Sequence, residues 1–283
     1  MVSRPQQVER PLRLSIVTTV RLPLFPLNSV LFPGLVLPLN VFEERYRAMM
    51  RDLLKSAPGS GGPDDGSAGA LGAGASDDDG ARRFAVVAIR DGRETARTAT
   101  GMPDDPTVMS ERGPSAGFGK DPIQAFHRVG CVADAATIRE REDGSFEVLA
   151  TGTKRVRLLS VDASGPYLVA ELEGLEEDPG DEAGALAEGV LRAFRQYQKR
   201  LAGAREATLT TSADLPDEPS VVSYLVAAAT MLDTPTRQRL LQAPDTATRL
   251  REELTILRSE TALIRHLPSI PAEALTRAPT CPN

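Results

Sequence analysis

The sequence predicts an α+β protein: a small irregular β-barrel with one early helix, followed by a C-terminal four-helix subdomain. Three observations predict it. A proline-punctuated pair of apolar strands at 21–41 runs directly into an amphipathic helix. Several short strands joined by turns follow between 83 and 172, with few helices between them, which suits a barrel or sandwich better than a parallel α/β sheet. From 182 to 266 the apolar spacing becomes helical, at the dimensions of an antiparallel bundle.

Residues 1–20 read as a weakly ordered leader. In the first strand, Leu22, Leu24 and Pro26 alternate with Pro23, Phe25 and Leu27, so both faces are apolar. Pro33-Gly34 turns the chain, and Leu35 to Val41 repeats the pattern. Prolines at 23, 26, 33 and 38 are tolerated mainly at strand edges, starts and bulges. Asn40 with Glu43 has capping-box spacing, and Phe42, Tyr46, Met49, Met50, Leu53 and Leu54 recur at helical intervals. Residues 56–82 are dominated by Gly, Ser, Ala and Asp, too polar to offset their ordering entropy, and read as a flexible insertion. Arg83 to Arg90 is a buried strand, and 91–121 a second insertion.

Gly130 to Arg141 and Phe146 to Thr151 form a hairpin about Asp143-Gly144, a strong turn dipeptide. Val156 to Val161 is a further strand, and Tyr167 to Leu172 another; the barrel thus covers 21–175. In the helical subdomain, Leu186, Val190, Phe194, Tyr197 and Leu201 mark one helix, and Val221, Val222, Leu225, Ala228, Met231 and Leu232 a second. Thr234-Pro235 opens a third by a cap followed by proline at the first helical position. Asp245 caps a fourth bearing Leu250, Leu254, Leu257 and Ile264. Residues 267–283 are a loose tail.

Of the 283 residues, 41% are hydrophobic, enough for a globular core, while 23 Gly and 22 Pro indicate substantial loop. The net charge of -6 argues against broad phosphate-driven nucleic-acid binding. Cys131 and Cys281 do not make a disulfide framework and read as free thiols in a reducing compartment. No run reaches the roughly 18–20 apolar residues of a membrane helix, and the chain reads as cytoplasmic.

The leucine-proline strand Leu22-Pro23-Leu24-Phe25-Pro26-Leu27, the turn Phe32-Pro33-Gly34, the stretch Val129-Gly130-Cys131-Val132 and the run from Val148 to Leu158 stand in a telling order. With Pro166 to Leu172 they resemble the N-terminal substrate-binding domain of Lon proteases, over roughly 21–265. That resemblance implies a PUA-like β-barrel and recognition of polypeptides without catalysis. The partners it implies are unfolded or specific client proteins and a separate ATP-dependent protease. No Walker A loop is present, since Gly119-Lys120 is followed by Asp121, and no cofactor is expected.

Gly113-Pro114-Ser115-Ala116-Gly117 resembles the surroundings of the Lon peptidase serine. A serine–lysine mechanism would need Lys154 or Lys120 to take the Ser115 proton, yet Phe118 to Pro122 cannot extend the helix that such a serine should start. His127 and His266 lie in different subdomains without metal-ligand spacing. The run Asp77-Asp78-Asp79 reads as a solvated tract, because calcium loops need alternating ligands. Arg139, Arg141, Arg155 and Arg157 could form a basic barrel face for RNA, but Glu140, Glu142, Asp143 and Glu147 interleave and no aromatic platform accompanies them. Leu31, Phe32 and Leu35 flank a tight turn and are the expected polypeptide contact surface.

Overall fold

The computed structural model describes residues 19–55, 82–90, 113–119, 121–204 and 216–266. The expected leader (save 19 and 20), the tail and most of both insertions, with Lys120, Asp77 to Asp79 and Cys281, lie outside these residues. The elements run β1 (Thr19–Leu27), β2 (Val36–Val41), α1 (Glu44–Lys55), β3 (Arg83–Ala88), a 3-10 turn (Pro122–Ala125), β4 (Val129–Glu140), β5 (Phe146–Asp162) and β6 (Val169–Gly174). Four helices complete them: α2 (Ala183–Ala204), α3 (Pro219–Ala229), α4 (Thr234–Leu241) and α5 (Thr246–His266).

The sheet has the order β2-β5-β4-β3-β1-β6 and closes through an additional β5–β6 pairing. Five strands thus form a ring with β2 as a sixth lying outside it, which is a less regular object than a plain barrel. β1 starts at Thr19, two residues earlier than the sequence suggested, because Thr19 and Val20 pair with Glu173 and Leu172 of β6. Its two halves use different neighbours: Thr19 to Pro23 pair with β6, and Leu24 to Leu27 pair in parallel with β3. A strand flanked on one side at a time tolerates prolines, since each missing N–H can face the unpaired side.

The apolar double face of β1 separates two cores. Leu24 points into the ring with Val87, Phe126, Val156, Leu158 and Leu172. Phe25 points the other way, where Tyr46, Met49, Met50 and Leu53 of α1 cover the sheet with Phe84, Val86 and Val148. Phe25 stacks on Tyr46 with ring centroids 4.4 Å apart. Burying each such side chain is worth about 1.5–3 kcal/mol, so α1 is held by this face. The Asn40–Glu43 capping box does not form. Asn40 is still paired with Glu147 in β2, the helix begins at Glu44, and the amides of Tyr46 and Arg47 donate to the Glu43 carbonyl.

The two expected strands at 146–151 and 156–161 are one strand, β5, of 17 residues. Its breaks in alternation are β-bulges: an extra β5 residue opposite β4 between Arg155 and Gly152, and another opposite β6 between Leu158 and Ser160. Bulges bend a strand and sharpen its twist, which lets β5 pair with β2 at one end and β6 at the other.

The helical subdomain packs Val190, Phe194 and Tyr197 of α2 against Val222, Val226, Leu250 and Leu257. Asp245 caps α5 as expected, its carboxylate accepting from the Thr248 amide at 2.7 Å. The α4 cap is Asp233 rather than Thr234, accepting from the Thr236 amide at 2.9 Å. No helix among the described residues is long and apolar enough to cross a membrane.

Candidate functional site

A cleft of about 840 Å³ opens between the sheet and the helical subdomain. Its sheet wall is the first β5 bulge, Thr153-Lys154-Arg155. The bulge explains why consecutive side chains reach one cleft instead of alternating between faces. On one flank stand Pro33 and Gly34, on the other Gly174, Leu175 and Glu176, and the opposite wall is Ser220, Val221 and Tyr224 of α3. Gly152, beside the bulge, is required by packing: a Cβ there would lie 2.4 Å from the Phe32 carbonyl oxygen and 3.1 Å from the Cys131 sulfur.

The floor is a polar hub centred on Glu177. One carboxylate oxygen accepts from Arg249 Nη2 at 2.8 Å and from the Thr246 hydroxyl at 2.9 Å. The other accepts from Arg155 Nε at 3.0 Å and from the Tyr224 hydroxyl at 2.5 Å. Arg155 also donates from Nη1 to the carbonyls of Leu241 and Ala243, at 3.1 and 2.6 Å. Arg249, fully buried, lies 4.1 Å over the Tyr224 ring and donates to Leu240 O and Ser223 Oγ. Burial alone would raise the Glu177 pKa, but the Tyr224 hydroxyl, Arg249 and Arg155 outweigh it and hold the carboxyl below its usual range. Burial pushes the Tyr224 phenol up. The hub joins β5, the segment after β6, α3 and α5 in one network.

The sequence-derived candidates sit elsewhere or in other roles. Phe32 is 1% exposed and packs with Tyr224, Ala227 and Leu240, and Leu31, at 6%, belongs to the core under α1. Both are therefore held inside by the helices that roof the turn, and the expected surface is corrected accordingly; Leu35 is half-buried between the same two clusters. Ser115 lies in a turn, where its carbonyl accepts from the Phe118 amide. Arg45 of α1 clamps that turn by donating to the carbonyls of Pro114 and Ala116, with its guanidinium over the rings of Tyr46 and Phe118. Lys154 lines the cleft, whose lining does not include Ser115.

The four arginines do not make a basic face. Arg155 is 4% exposed and committed to the hub. Arg141 pairs with Glu147, Arg157 with Glu173 at 2.8 Å, and Arg139 stands across the ladder from Glu147. His127 is half-buried just before β4, and no cluster of metal-ligating side chains exists among the described residues. Cys131 is a buried free thiol whose pKa burial pushes up to about 12.

Sequence reasoning missed Glu177, Tyr224 and Arg249. The available signal was in the last helix, where Arg249 and Glu253 stand beside Leu250 and Leu257, charged groups at positions that the helical period assigns to the core. Glu253 is buried with neither carboxyl oxygen hydrogen-bonded among the described residues, and burial raises its pKa well above normal.

The fold resembles the solved N-terminal domain of a Mycobacterium avium complex Lon protease, with a TM-score of 0.50 at 15% identity, covering 86% of this chain and 98% of that one. The chain is 24% identical over 250 residues to Lon protease 2 of Herpetosiphon aurantiacus, covering 87% of this chain and 25% of that protein. It is 32% identical over 142 residues to Lon protease 1 of Syntrophobacter fumaroxidans, covering 50% of this chain and 17% of that protein. The chain thus spans a quarter or less of the length of these two proteases. The family model for the ATP-dependent protease La (LON) substrate-binding domain matches residues 21–259. By that match, across nearly every described element, the chain belongs to the Lon substrate-binding domain family.

Proposed function

We propose that this protein binds polypeptides without making or breaking bonds in them, and that it adjusts which proteins an ATP-dependent protease degrades. The observation that carries this reading is the cleft of about 840 Å³ between sheet and helices, in a member of a substrate-binding domain family. Concave sites of this size with apolar walls and a few fixed polar groups are the usual form of a binding site. Pro33, Leu175, Val221 and the Tyr224 ring supply the apolar surface, and Val221 is 38% exposed despite lying on a packed helix. The Glu177 carboxylate beneath accepts four hydrogen bonds, which fixes the floor of the cleft. A clamped turn at Ser115, away from the cleft lysine, supports a role without a nucleophile.

The test is retention of a carboxymethylated, permanently unfolded protein on the immobilised chain. Retention is expected for the wild type and a several-fold loss for Val221→Asp, with unchanged circular dichroism and thermal midpoint. Absence of wild-type retention, or full retention by Val221→Asp, would refute the assignment of binding to this cleft.

A further inference from the structure

The cleft interrupts the sheet at a defined place. On the side of β5 away from β4, Thr151 is the last residue paired with β2, and Gly152 exchanges hydrogen bonds with Gly34 and Leu35. β6 takes over at Val156, preceded by a bond from the Leu175 amide to the Arg155 carbonyl. The step between, Thr153-Lys154, therefore has no neighbouring strand on that side. Both ends of this gap are closed by the protein's own chain. A passing strand cannot run through it, whereas the last two residues of an entering chain can.

The charges around the gap are mostly committed. Glu177 accepts four hydrogen bonds, Glu173 is paired with Arg157, and Glu218 caps α3 by accepting from the Val221 amide. Two cationic donors remain. Lys154 is exposed, with no partner among the described residues. Arg155 uses Nε and Nη1 on Glu177, Leu241 and Ala243, so Nη2 is the nitrogen left for a ligand at the cleft wall. The hub itself sets the Arg155 and Arg249 guanidinium groups against the Glu177 carboxylate at the floor of the cleft. Glu176, on the opposite flank, disfavours an anion on its own side.

We infer that the cleft is a socket for the C-terminal end of an extended polypeptide. Its terminal carboxylate sits between Lys154 Nζ and Arg155 Nη2, and its last apolar side chain rests on Leu175, Val221 and Tyr224. This rests on the polypeptide-binding reading above and narrows it from unfolded chains in general to chain ends. Charge-assisted hydrogen bonds of this kind are the strong ones, and they need a carboxylate that enters a blocked slot.

The experiment uses the full chain and fluorescence anisotropy of dye-labelled decapeptides ending in Leu, Val or Phe, each as free acid and as C-terminal amide. A third set carries the amide and an internal Asp two residues from the end. The free acids should bind about tenfold more tightly than the amides at low salt. Lys154→Ala, a change at an exposed site, should cut that preference several-fold while leaving the unfolding transition unchanged. Equal binding of acid and amide, an undiminished preference in Lys154→Ala, or binding of the internal-Asp amides as tight as that of the free acids would each overturn the inference. If the unfolded carrier protein is retained while acid and amide bind alike, the chain-end socket falls and polypeptide binding stands. If neither carrier nor peptide binds, both fall.

Discussion

Replacing Glu177 by alanine should destabilise the protein by about 3 kcal/mol at pH 7. The carboxylate is the shared acceptor for two guanidinium groups whose side chains are 0% and 3% exposed, those of Arg249 and Arg155. Removing one partner of a buried ion pair costs roughly 3–5 kcal/mol, because the remaining charge is left uncompensated. The Glu177 side chain is itself 31% exposed, so water reaches the gap and the lower end applies. Urea unfolding followed by circular dichroism, extrapolated linearly, measures the difference. The pH dependence has a definite sign. Glu177 has a folded pKa below its ordinary value of 4.5, so its stabilisation is complete above that value and is lost as pH falls through the lower folded pKa. The gap between wild type and Glu177→Ala should be flat from pH 6 to 8 and shrink below about pH 4.5. A loss under about 1 kcal/mol at pH 7, or a gap that widens on acidification, would show that the hub does not join the two parts in the way described.

Glu253→Met should stabilise the protein by about 1–2 kcal/mol at pH 7, since it removes a buried carboxyl without hydrogen-bond partners. Its folded pKa is raised, so the wild type loses stability as pH rises above the unfolded value, and the gain should disappear near pH 4; a variant less stable at every pH contradicts this. Gly152→Ala should cost about 2 kcal/mol, because the new methyl meets the Phe32 carbonyl oxygen at 2.4 Å, and an unchanged thermal midpoint would argue against that close approach. In a Cys281→Ser background, Cys131 should resist maleimide at pH 8 until the chain is unfolded, its thiol being buried with a pKa of about 12; rapid native labelling would refute its burial.

Local chemistry made much of the fold legible. The doubly apolar β1, the Asp143-Gly144 turn and the Asp245 cap each depend on residues close in sequence, and each forms as expected. The errors occur where distant chain decides. Leu31 and Phe32 look exposed beside a tight turn, yet Tyr224, nearly two hundred residues later, roofs Phe32. Arg155, two residues before the exposed Arg157, reads as a surface residue, but Leu241, Ala243 and Glu177 claim its guanidinium. The broken pattern at 152–155 read as a gap between two strands. It is a bulge in one strand, and the irregularity that hid the strand is the feature that makes the cleft.

The closing of β1 against β6 also dictates an order of assembly. Thr19 pairs with Glu173 of β6, and the parallel partner of Leu24 is Ala85. While the chain is being synthesised, β1 must therefore wait with one edge uncovered until β6 has emerged. Such long-range pairing slows folding and leaves an adhesive edge exposed in the interval. The prolines at 23 and 26 lie on this waiting strand, where a missing amide blunts recruitment of a wrong neighbour. They serve the unfinished molecule as well as the finished one.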